Sequence, residues 1–179
     1  MSDRKQTNLP HQNSVASKIF DRFIKILMTK GGAKAGKSWK YFGLSQLEIN
    51  ELFNDKKEWQ VRRELKRMKQ RKLIKDQKRG TEAFYILTES GKTILLRKIV
   101  KEVKKELPND TYCYVIFDIP ESARQSRFVL RQVLEDANFK YVQRSVWASR
   151  LDVAPYLVEL IRYAGIEKWV KVIVGKQFN

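Results

Sequence analysis

The sequence predicts an α+β protein in two units, three helices closed by a β-hairpin and then a βαββαβ unit. Three observations carry this reading. Apolar residues recur at helical spacing through the first half and gather into short β-rich runs in the second. A turn-forming stretch, Leu107-Pro108-Asn109-Asp110, lies between them. The charge divides at the same place, with 27 lysines and arginines against 12 acids up to residue 108, and 10 against 8 beyond it. So uneven a distribution implies that one unit meets a polyanion while the other holds an assembly together.

The 179 residues carry a net charge of +17, and 42% are hydrophobic, enough for the cores of one or two small domains and too many for general disorder. The single Cys113 excludes a disulfide framework or a cysteine-rich zinc module, and the single His11 sits in a polar tail, which leaves no basis for imidazole catalysis. There is no apolar run of the roughly 20 residues a membrane span needs. The opening MSDRKQTNLPHQNS has no apolar signal core. A soluble, cytoplasmic protein is expected, with residues 1–14 as a flexible tail.

From Val15 to Met28, the residues Val15, Ile19, Phe20, Phe23, Ile24, Ile26 and Leu27 fall on one arc of a helix that Gly31-Gly32 ends. A loop with Lys34, Lys37 and Lys40 leads to a short second helix over 45–53, burying Leu47, Leu52 and Phe53. A third helix starts after Asn54-Asp55, with Asp55 and Glu58 spaced as a capping box, and runs to about Arg71. Residues 72–76 and 83–87 then read as a hairpin around Gln77-Lys78-Arg79-Gly80-Thr81.

This order resembles a winged helix-turn-helix. The likeness reaches Val61 to Met68, Leu73-Ile74, and Tyr85-Ile86-Leu87-Thr88-Glu89-Ser90-Gly91-Lys92, which is similar to the bacterial pattern of recognition helix, strand, basic wing and "LTxxGK" turn. At 100° per residue, Val61, Leu65 and Met68 form the buried side of the third helix. The opposite arc holds Lys56, Trp59, Arg63, Lys66, Arg67 and Gln70, without an acid, and Glu64 lies toward the flank. Cations there suit phosphates, guanidinium forks suit guanine edges, and an amide suits adenine. The expected double-stranded DNA contacts are Lys56, Lys57, Trp59, Gln60, Arg63, Lys66, Arg67 and Gln70 on the helix, with Lys78, Arg79 and Thr81 at the hairpin tip. The plain alternative is a solvated basic face and an ordinary exposed turn.

Residues 92–108 read as an amphipathic connector helix whose stripe of Leu95, Leu96, Ile99, Val100, Val103 and Leu107 is buried either within the chain or against a second one. In the second unit, strand 111–117 enters a helix over about 122–137. Residues 141–151 divide into a short hairpin, a helix capped by Asp152 covers about 153–164, and a last strand covers 169–174. That is the ferredoxin-like βαββαβ order.

Ile116-Phe117-Asp118-Ile119-Pro120-Glu121, then Arg124, Arg127 and Arg131, then Val142-Gln143-Arg144-Ser145-Val146-Trp147, resemble the central domain of the phenylacetic acid degradation repressor (PaaX-like) family. That domain is similar in turn to the small metal-dependent endonuclease of CRISPR adaptation modules. The resemblance, over about 20–179, implies a homodimeric, sequence-specific transcriptional repressor: a winged helix-turn-helix over 15–91, the connector, and a ferredoxin-like dimerisation domain over 109–179. No cofactor, no membrane and no identified effector enter this reading. The sensing of a coenzyme A thioester, implied by longer relatives with a further helical domain, is in doubt for this chain. The alternative is a nuclease acting on DNA or RNA, in which Asp118 matches the metal-binding aspartate and Mg²⁺ is the cofactor. Against it stands a structural role for Asp118 as a helix cap.

Overall fold

The computed structural model describes residues 10, 11, 14–29, 43–54 and 56–176. Lys34, Lys37, Lys40 and Asp55, and most of the expected tail, lie outside the described residues. The chain forms two compact units, Met1–Leu95 and Leu96–Asn179, and no described helix is long and apolar enough to cross a membrane.

The first unit opens with α1 (Val15–Thr29), whose Ile19, Phe20, Phe23 and Leu27 are buried at helical spacing, while Val15, Ile24 and Ile26 are only half-buried. Strand β1 (Leu44–Ser45) leads into α2 (Gln46–Leu52), where Ser45 and Glu48 form the capping box: Ser45 Oγ accepts from the Glu48 N–H at 3.2 Å and the Glu48 carboxylate from the Ser45 N–H at 2.9 Å. This register turns Ile49 into the core and leaves Leu47 67% exposed, which corrects the expectation that Leu47 is buried. Helix α3 covers Glu58–Gln70 with Val61, Leu65 and Met68 buried. Its N-cap is Lys57, without a side-chain cap bond, so Glu58 is the first helical residue and Lys56 lies before the helix; the expected Asp55–Glu58 box involves a residue outside the described ones.

Lys72 ends α3 in the left-handed region, φ 55°, with the Leu73 N–H bonded back to the Met68 carbonyl at 2.9 Å. The hairpin, β2 (Ile74–Arg79) and β3 (Glu82–Leu87), turns on Gly80 and Thr81 alone, tighter than the expected five-residue turn. Lys78 and Arg79 therefore belong to the ladder, opposite Ala83 and Glu82, and Gly80 supplies φ +62°. β1 pairs with β3, giving the sheet order β1-β3-β2.

Thr88 explains the turn into α4 (Glu89–Glu102). Its hydroxyl donates to the Lys72 carbonyl and accepts from the Gly91 N–H at 3.1 Å. A Cβ on Gly91 would stand 2.0 Å from the Leu73 carbonyl oxygen, so only glycine fits. The α4 stripe of Ile94, Leu95, Leu96, Ile99 and Val100 is buried within this one chain. The helix stops at Glu102, short of the expected 107. Residues beyond it run extended, with Glu106 bridged to Leu151 and the Leu107 N–H bonded to the Arg150 carbonyl at 2.6 Å.

In the second unit, β4 (Thr111–Phe117), α5 (Arg124–Asp136, after a 3₁₀ turn at Glu121–Ala123), β5 (Lys140–Gln143), β6 (Val146–Ser149), α6 (Ala154–Tyr163) and β7 (Val170–Lys176) build an antiparallel sheet in the order β5-β6-β4-β7. This is the ferredoxin-like order. Cys113, Val115 and Phe117 alternate into the core with Leu130, Leu134, Leu157 and Ile161. Tyr112, Tyr114 and Ile116 take the other face, with Ile173 opposite Tyr114; Ile116 and Ile173 are exposed. Asp152 does not cap α6, whose N-cap is Val153; it pairs with Lys105 at 2.7 Å.

Candidate nucleic-acid interface

Because one side of α3 is committed to the core, its polar residues are forced outward, and the structure sorts them by their partners. Lys57, Trp59, Gln60, Arg63, Lys66, Arg67 and Gln70 are all exposed, as is Lys56 just ahead of the helix. On one flank Arg62 pairs with Glu58 at 2.6 Å, and on the other Arg67 meets Glu64 at 3.5 Å. Both acids lie one turn or less away, within easy reach of a guanidinium. Between the flanks run Arg63 and Lys66, and among the described residues neither forms an ion pair.

Two hollows border this strip. Lys56, Trp59, Gln60, Arg63, Glu64 and Arg67 line a shallow one of about 390 Å³ beside Ser14 and Val15 at the start of α1. Lys66 belongs to a deeper cleft of about 650 Å³ between α2, α3 and Tyr85 of β3, shared with Arg62, Lys69 and the side-chain amides of Gln46, Asn50 and Asn54. These cleft residues escape a helical-wheel argument on α3 alone, since the amides come from the preceding helix and turn. Tyr85 also donates from its hydroxyl to the Gln46 side-chain oxygen at 2.8 Å.

The hairpin is anchored to α3 at its base. Lys69 pairs with Asp76 of β2 at 2.7 Å and stands 5.0 Å from the Tyr85 ring centroid. At the tip Lys78 and Thr81 are exposed, whereas Arg79 is half-buried, its guanidinium 4.8 Å from the Phe84 ring centroid.

Several basic residues of the second unit have other occupations. Arg127 donates to Glu121 at 2.5 Å and to the Ile119 carbonyl at 3.4 Å. Arg131 donates to the Arg144 carbonyl at 3.2 Å and lies over Phe117, tying the β5–β6 turn to the end of β4. Arg150 bridges Glu106 and Asp110, and Glu159 raises the Arg162 pKa above the ordinary range through a hydrogen bond. The bond to Asp152 likewise raises Lys105. Burial pushes the Cys113 thiol up to about 12, which makes it an inert core group.

Asp118 follows β4 with its side chain exposed, and its N–H is bonded to the Trp169 carbonyl at 2.9 Å. It caps neither the 3₁₀ turn, whose N-cap is Pro120, nor α5, whose N-cap is Ala123, so the capping role is withdrawn. Glu121 is drawn to Arg127 and Arg124. Among the described residues of one chain no three His, Cys, Asp or Glu side chains gather, whereas Mg²⁺ takes several oxygens. One chain by itself therefore does not supply a full donor set.

Residues 105–179 match the family model described as the PaaX protein central Cas2-like domain. No curated protein and no solved structure matches the chain.

Proposed function

From the membership of residues 105–179 in the PaaX-like family, through its central Cas2-like domain, we propose that the chain is a sequence-specific, double-stranded DNA-binding transcriptional regulator acting as a homodimer. Under this reading residues 15–91 form a winged helix-turn-helix, α3 enters the major groove and the β2–β3 hairpin is the wing. The observation that carries it is the strip of Arg63 and Lys66 between flanks whose arginines are already paired. A merely solvated basic face gains nothing by keeping acids off its centre line. A groove-facing helix requires it, because phosphates and guanine edges are the missing partners.

The second unit serves as the dimer framework. Its nearly balanced charge avoids the repulsion that two strongly cationic surfaces would meet, and the sheet face opposite its helices presents Tyr112, Tyr114, Ile116 and Ile173. An apolar, aromatic patch of this kind suits a self-complementary two-fold contact. Two bound helices would then read two half-sites, a repressor's usual economy.

The test is duplex binding by the full chain over a range of salt. With several of Lys56, Arg63, Lys66, Arg67, Lys78 and Arg79 on each of two chains at phosphates, log K should fall with log salt by several units, at about 0.9 per phosphate neutralised. A slope near zero would sink the proposal.

A further inference from the structure

Trp59 is the one large apolar side chain on the outward arc of α3, and it is 56% exposed. The core side of the helix is filled by Val61, Leu65 and Met68, and among the described residues no ring or cation contact engages the indole. An aromatic ring left this far in water forgoes much of the stabilisation its burial would bring. Its neighbours in the shallow hollow are Lys56, Gln60, Arg63 and Arg67, with Glu64 turned to Arg67. An apolar plate surrounded by cations and an amide calls for a ligand that is anionic at its rim and carries an apolar group at its centre. The major groove answers this description, with phosphates along its walls and the C5-methyl of thymine projecting from its floor.

We propose that Trp59 reads a pyrimidine C5-methyl group, so that the recognised half-site carries a thymine at a fixed step from the guanine contacted by Arg63. The proposal rests on the DNA-binding reading above and adds a rule of sequence to it. The step follows from the helix. Trp59 and Arg63 are four residues apart, about 6 Å along the axis at ~1.5 Å per residue, and base pairs are spaced by about 3.4 Å. Because the helix lies along the inclined groove, its projection on the DNA axis is at most this, and the thymine stands within about two base pairs of the guanine. A lysine at position 59 would hold a phosphate anywhere; an indole offers a phosphate only its single N–H, and its flat apolar face distinguishes thymine from uracil, and 5-methylcytosine from cytosine, by the methyl.

The test begins with a randomised duplex pool selected on the full-length chain. In the enriched duplex each thymine is replaced in turn by deoxyuridine, which removes one methyl and leaves pairing and every hydrogen-bonding edge intact. At one position per half-site the replacement should weaken binding about fourfold, what burying one methyl contributes. Trp59→Ala should weaken the thymine duplex by at least as much and make thymine and uracil equivalent there. Trp59→Phe should keep part of the preference. At the same position 5-methylcytosine should bind better than cytosine to the native chain, and no better to Trp59→Ala. An unchanged melting temperature for both variants shows that folding is not the cause. Affinity indifferent to every uracil, or a thymine preference that survives in Trp59→Ala, overturns the assignment while leaving DNA binding in place. If no duplex is enriched from the pool, the DNA-binding reading itself fails and this assignment with it.

Discussion

Arg63 on α3 and Arg131 on α5 are the same side chain put to opposite uses. Arg63 stands exposed on the centre line of its helix with no ion pair among the described residues, while Arg131 bonds the Arg144 carbonyl, covers Phe117 and helps hold the β5–β6 turn against the end of β4. The contrast runs through both units. The described cations of the first leave a strip unsatisfied, and the second unit's Arg127, Arg150 and Arg162 are engaged with its own acids or carbonyls. Under the proposed function, net charge points to the unit that meets the polyanion, and the partners of individual cations point to the residues that would do so. An arginine already committed inside the chain has to give up a charge-assisted bond before it can serve a ligand.

The largest expected effect tests the division of labour itself. Ile173→Glu places a carboxylate on the open sheet face, next to its own copy in a two-fold contact, and like charges juxtaposed there cost several kcal/mol. Sedimentation of the full chain should show a dimer turned monomer at micromolar concentration. Leu47→Glu, the same kind of change at the 67% exposed leucine of the first unit, should leave the dimer as it was. Equal effects from the two variants would erase the distinction between the units.

The two arginines supply the next pair. Arg131→Ala should lower the unfolding free energy by about 1.5–3 kcal/mol, through loss of a charge-assisted hydrogen bond and its packing on Phe117, with DNA affinity per folded dimer unchanged. Arg63→Ala should do the reverse, costing ~1–3 kcal/mol of binding and moving the denaturation midpoint hardly at all. Lys78→Ala should weaken all sequences alike. A change of base preference on losing Arg131, or of stability on losing Arg63, would reverse the roles of the two arginines.

A smaller effect separates the two interiors by pH. Cys113 has a folded pKa of about 12 against an ordinary value of 9.0, because burial penalises the thiolate. The folded state holds this proton more tightly, so the contribution is constant below pH 9 and is lost as pH rises toward 12, at about 1.4 kcal/mol per unit. Cys113→Ala should flatten that part of the alkaline profile, at a constant cost for the lost packing. At pH 8 the native thiol should resist alkylation and the denatured chain should not.

What was legible in the chain, and what was not, follows from the range of the forces involved. Alternation and helical spacing placed most elements, since one-sided burial leaves its period in the residues themselves, as in α1, α3, α5 and β4. Short elements are less legible: over the seven residues of α2 the wheel can place either Leu47 or Ile49 inward, and the Ser45–Glu48 box decides between them. α4 was extended to 107 because Val103 and Leu107 keep its period, although tertiary pairing with Arg150 and Leu151 takes that segment. At the candidate interface the outward arc was legible, as periodicity alone dictates it. The pairing of Arg62 with Glu58 and of Arg67 with Glu64 is open to the same spacing, at four and three residues, whereas the amides of the α2–α3 cleft depend on neighbours from another element, and the spacing on α3 carries no record of them.

The smallest expected effect is none, at Asp118. Its carboxylate is exposed and caps neither of the turns that follow, it belongs to no cluster of three metal-ligating side chains among the described residues, and its backbone N–H is bonded to Trp169. Asn keeps the backbone, the shape and one acceptor oxygen. Asp118→Asn should therefore leave the unfolding free energy within about 0.5 kcal/mol of the native chain, as for surface changes in general, and duplex affinity within error. The same measurement with Mg²⁺ present and a labelled duplex or RNA is where the comparison between the units is most exposed. If the native chain cleaves in a metal-dependent way and Asp118→Asn does not, the second unit is more than a frame, because a metal shared across two chains would have drawn one carboxylate from each. The basic strip on α3 would then deliver a substrate instead of reading an operator, and Arg63→Ala would raise the KM of that cleavage without touching its rate at saturation.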